Sequence, residues 1–98
     1  MDYEKTQADI DKGRKAAELL ENELLKEALT AIEKEINDQW LACPARDKEG
    51  KEALWQLAKT IEKFRNILTG YVEGGKLATD QFARFEKESK FRSFLKMA

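Results

Sequence analysis

The chain contains no histidine, and its one cysteine is Cys43. The commonest general base and the commonest metal ligand are therefore absent. Cys43 has no imidazole to activate it, and a single thiol makes neither an internal disulfide nor a thiolate metal site. Carboxylates are plentiful, but they sit in charge-alternating runs such as Glu33-Lys34-Glu35, the pattern of a solvated helix face. Gly74-Gly75-Lys76 lacks the spaced glycines and flanking strand of a phosphate-binding loop. These residues assign no catalytic, cofactor-binding or metal-ligating position, and they point to binding rather than to an enzyme.

Two places carry side chains suited to binding. Between Trp40 and Trp55, one reading has Trp40, Pro44 and Leu54 plugging the tip of a helical hairpin, with Arg46, Asp47 and Glu49 in caps and surface pairs. The other leaves Trp55 exposed as a partner-binding anchor, since it lies about 100° around a helix from Leu54. Further on, Phe82, Phe85, Phe91, Phe94 and Leu95 are interleaved with Arg84, Lys87, Lys90, Arg92 and Lys96. That mixture suits a core-facing helix with a basic outer surface, or docking on another subunit. Stacking and phosphate contacts with nucleic acid use the same residue types, but Glu86 and Glu88 dilute the basic character. A membrane-surface helix ranks last. The candidate partner-binding residues are thus Trp55, Phe82, Arg84, Phe85, Phe91, Arg92 and Phe94.

These side chains must be positioned by helices. Charged residues make up 38% of the chain and hydrophobic residues 42%, with a single proline, a profile that favours helix and is too apolar for disorder. Thr6 with Asp9 reads as the cap of a first helix over about residues 6–41, roughly 50 Å long, with a kink allowed near Asn22. That helix carries two apolar seams. One runs through Ile10, Gly13, Ala17, Leu20, Leu24, Ala28 and Ala31, the other through Leu25, Leu29, Ile32, Ile36 and Trp40. Their centres lie roughly a third of a turn apart, so one straight partner helix does not cover both. The expectation is contact with at least two other helices and an oligomer of coiled-coil type. Gly13 and Ala17 would allow another backbone to approach closely.

Pro44 ends this helix and Asp47 caps the next, expected over about residues 47–73. Its core stripe is Leu54, Leu57, Ile61, Phe64, Leu68 and Tyr71. Gly74-Gly75 is read as its stop, and Thr79 as the cap of a third helix over about residues 79–97. The fold class is all-α: a long antiparallel hairpin plus a C-terminal third helix, forming one helical domain over residues 1–98. Residues 1–50 sum to a charge of −5, residues 51–75 to +1 and residues 76–98 to +3. The basic end complements the acidic first helix, which favours docking of the third helix along it, in the same chain or in a neighbouring copy.

The run Pro44-Ala45-Arg46-Asp47-Lys48-Glu49-Gly50-Lys51-Glu52-Ala53-Leu54-Trp55, with Lys59, Phe64, Arg65 and Gly75-Lys76-Leu77-Ala78, resembles a family of small proteins encoded by tailed bacteriophages and prophages. Ala17, Leu20, Leu24, Leu25, Glu27, Ala28 and Trp40 fit the same pattern. The likeness spans about residues 16–78, and its most distinctive part is the Pro-Ala-Arg-Asp…Gly…Leu-Trp turn. It implies a viral protein made in a bacterial host, accessory to or part of virion assembly, and it supplies no biochemical activity or cofactor. The segment after Ala78 lies outside it. The net charge of −1 and the lack of an apolar run near the roughly 20 residues of a membrane span agree with a protein in the host cytoplasm or virion. The function expected is protein–protein interaction, with itself or with a phage or host protein. The alternative is a small inhibitor or regulator of a host protein or nucleic acid.

Overall fold

A computed structural model describes residues 2–97, and the chain is all-α. Three helices follow in order: α1 over Tyr3–Glu21, α2 over Glu23–Ala42 and α3 over Lys48–Met97. No strand occurs among the described residues. The chain forms the expected antiparallel hairpin, but two helix boundaries fall elsewhere than the sequence suggests.

The first difference is at Asn22. The expected helix over 6–41 is interrupted there, where the backbone turns extended (φ −67°, ψ 120°) and the Asn22 side chain accepts from the Leu25 amide at 2.9 Å. Asparagine competes for helical amides in this way, so it caps α2 while ending α1. At the start of the chain Asp2, rather than Thr6, is the cap: its carboxylate accepts from the Lys5 amide at 3.2 Å. Thr6 is buried within α1 and donates its hydroxyl to the Asp2 carbonyl at 2.7 Å.

The second difference is at Gly74-Gly75. The expected helices over 47–73 and 79–97 are one continuous helix, and no glycine among the described residues has a positive φ. Thr79 is an interior residue that donates its hydroxyl to the Gly75 carbonyl at 2.9 Å, the usual i−4 bond of a helical threonine. Asp47 caps α3 as expected, accepting from the Gly50 amide at 2.9 Å.

The chain divides into two compact units, Met1–Ala17 with Thr69–Ala98, and Glu18–Leu68. In the first, α1 runs antiparallel to α3. Gly13 and Gly75 are both buried, and a Cβ on Gly13 would lie 2.8 Å from the Gly75 Cα and 2.8 Å from the Tyr71 carbonyl oxygen. The glycines therefore serve backbone contact between two helices, not termination. Ala16 and Ala78 are buried in the same unit, and the Tyr3 and Phe82 rings meet at 5.6 Å.

In the second unit α2 runs antiparallel to α3, with Leu29, Leu54 and Leu68 buried and Arg65 paired with Glu33. The inward seam thus differs between units. Gly13 and its neighbours face α3 in the first, whereas Leu29 and Ile36 do so in the second. α3 thus meets part of the first seam within the first unit and the second seam within the second. As a consequence the rest of the first seam, Leu24, Ala28 and Ala31, is exposed.

Candidate functional site

Little of the apolar surface is enclosed. Among the described residues five hydrophobic ones are buried: Ala16, Leu29, Leu54, Leu68 and Ala78. Among the described residues sixteen large hydrophobic side chains are 40% to 75% exposed. The core stripe expected on the second helix is split accordingly. Leu54 and Leu68 are buried and Ile61 half-buried, whereas Leu57, Phe64 and Tyr71 remain 52%, 43% and 42% exposed. These three recur every seven residues, so they hold one register on α3.

That register continues. In the second unit Leu57, Thr60, Phe64 and Ile67 alternate by three and four along α3, as in the first do Tyr71, Gly74, Ala78, Gln81 and Phe85, and none of the nine is charged. On the same side of the second unit, Leu57, Thr60 and Ile61 share a groove with Ile32 and Ile36 of α2. In the first unit Gly74, Ala78, Gln81 and Phe85 line a depression of about 800 Å³ whose rim includes Asp2, Lys5, Asp9 and Arg84. A Cβ added at Gly74 would meet nothing within 4 Å.

The opposite side of the second unit holds an aromatic groove of about 530 Å³. Ile36, Trp40, Leu54, Trp55, Ala58 and Ile61 form its wall, and the Glu33–Arg65 pair stands at one end. Trp40 is 40% exposed and Trp55 47% exposed. Lys51 lies over the Trp40 ring at 4.1 Å and donates to the Trp40 carbonyl at 2.6 Å. Lys59 stands 5.7 Å from the centre of the Trp55 ring. Both indoles are thus held by ammonium groups at the hairpin tip while keeping about half of their surface open.

The other candidate residues lie in the first unit. Phe82 is half-buried against Tyr3, and Arg84 and Phe85 flank the depression. From Ala83 to Lys96 every side chain is exposed, with Phe91 at 61% and Phe94 at 67%. The structure therefore brings Arg84 and Phe85 together, places Phe91, Arg92 and Phe94 further along the same helix, and sets Trp55 in the other unit. The sequence marks Trp55 alone as an anchor in the aromatic groove and reads Trp40 as a plug of the hairpin tip. The uncharged stripe is readable as a three-four alternation, but only across Gly74-Gly75, where the helix was expected to stop.

Among the described residues no group of three or more histidine, cysteine or carboxylate side chains is placed to hold a metal ion. No helix among them is long and apolar enough to cross a membrane. Comparison with protein-family models, curated proteins and solved structures gives no match.

Proposed function

We propose that the chain is a non-enzymatic, phage-encoded helical protein that acts by protein–protein contact, in virion assembly or as an accessory structural component. One observation carries the interaction reading: among the described residues sixteen large apolar side chains lie open to water while five hydrophobic residues are buried. Soluble monomers rarely leave contiguous apolar patches uncovered, and the Trp40–Trp55 groove gathers several such side chains in one wall. The Trp40–Trp55 groove and the Phe91–Phe94 end of α3 supply the aromatic anchors that dominate protein interfaces. The viral and assembly part of the reading rests on the Pro44–Trp55 turn and its likeness to phage proteins.

The test is the composition of purified phage particles and of their assembly intermediates, from a phage that encodes this chain. The expected result is the chain present in fixed ratio to a structural protein in one of these species. Absence from all of them, together with stable capture of one host enzyme, would replace assembly by inhibition. Capture of nucleic acid whose affinity falls steeply with salt would replace the protein partner altogether.

A further inference from the structure

The geometry points to a second copy of this chain as the occupant of one open face of the α2–α3 hairpin. The two hairpins form a four-helix bundle in which α2 of each copy lies against α3 of the other. The inference rests on the interaction reading above and names the partner of one surface, which lies wholly within the second unit.

The face is the side of the hairpin away from the two indoles. Ile32 and Ile36 of α2 share a groove there with Leu57, Thr60 and Ile61 of α3, and among the described residues that line it Glu35 alone is charged. Helical spacing extends this face along both helices. Ala28 lies one turn before Ile32 and Ala31 one turn before Glu35, while Phe64 and Ile67 follow Leu57 and Thr60 by seven residues. Ile32, Leu57, Phe64 and Ile67 are 42% to 52% exposed, and both alanines are exposed as well. Two helices bury only the line of side chains between them, here Leu29, Leu54 and Leu68. A second hairpin laid on the face would close a four-helix core.

Charge says which hairpin fits. Residues 23–42 hold five acidic and two basic side chains, and residues 48–68 hold three acidic and five basic. α2 therefore carries −3 and this stretch of α3 carries +2. A two-fold axis parallel to the helices sets α2 of each copy antiparallel to α3 of the other, so every helix has two neighbours of opposite sign. An axis across the helices would set α2 on α2 and α3 on α3, like charge against like.

Size agrees with the same choice. Within one hairpin Glu33 is level with Arg65, and Ile36 shares a groove with Ile61. An axis along the helices keeps those levels between copies. Phe64 and Ile67 of one copy then lie over the short side chains Ala28 and Ala31 of the other, which brings large against small. Glu35 comes within about one turn of Lys63 of the other copy.

Oxidative cross-linking in a Cys43→Ser background tests the arrangement. Ala31→Cys chains mixed with Ile67→Cys chains should cross-link, whereas neither should cross-link to itself. Absence of the mixed product would overturn the bundle, and self-linking of either chain would mean like helix on like helix. Charge swaps supply a second reading that leaves the exposed positions folded, with circular dichroism as the check. Glu35→Lys and Lys63→Glu should each weaken the dimer about tenfold in sedimentation, since symmetry repeats the lost pair. The double swap should recover most of that loss; a double variant weaker than either single one would refute the pairing of α2 with α3. A wild-type chain that stayed monomeric yet entered phage particles would sink this inference and leave the proposed function standing.

Discussion

At Gly13 and Gly75 two backbones meet with no room for a methyl group. A Cβ on Gly75 would approach the Gly13 Cα to 3.0 Å, and these are main-chain atoms that cannot rotate aside. Gly13→Leu should therefore force α1 away from α3 and destabilise the chain by about 1–3 kcal/mol, the usual cost of overpacking. Urea denaturation measures it, and an unchanged midpoint would mean the two helices are not in contact at this point. The Glu33–Arg65 pair should behave differently. Both side chains are more than 40% exposed, so Glu33→Gln should shift stability by less than about 1 kcal/mol, the range of solvated ion pairs. A much larger loss in the same denaturation experiment would indicate that the pair is shielded in solution.

The elements show which parts of the fold the sequence made readable. Helix content, the turn from Cys43 to Asp47 and the Asp47 cap follow from local chemistry: one proline, one capping carboxylate and apolar residues at helical spacing. Gly74-Gly75 was not readable in the same way, because glycine at a helix end and glycine at a helix crossing look alike along one chain. Only Gly13 on the opposing helix decides between them. Asn22 was readable as a kink, but not the consequence, which is that the inward face changes from one apolar seam to the other. Replacing its capping side chain tests that role. Asn22→Ala should cost about 1 kcal/mol, as loss of a cap does, with helicity by circular dichroism retained. A gain in stability would show that α1 and α2 prefer to join.

For the molecule as a whole, the candidate surfaces divide into two kinds. The Trp40–Trp55 groove belongs to the second unit, whereas the end of α3 with Phe91 and Phe94 belongs to the first and carries a net basic charge. Substituting Phe91 and Phe94 together by Ser should leave mass and melting temperature unchanged and remove the chain from phage particles. Persistence in particles at the wild-type ratio would place the partner-binding surface elsewhere, with the Trp40–Trp55 groove next to be substituted. The sequence pointed to these phenylalanines by composition alone. It did not separate them from Phe82, because burial against Tyr3 depends on where α1 lies along α3. The central claim is that the apolar surface left open by the hairpin is covered by protein, first of all by another copy. Sedimentation equilibrium of the full chain at micromolar concentration tests this most directly. Twice the 11.3 kDa chain mass is the expected result, and a mass of 11.3 kDa throughout that range would contradict it.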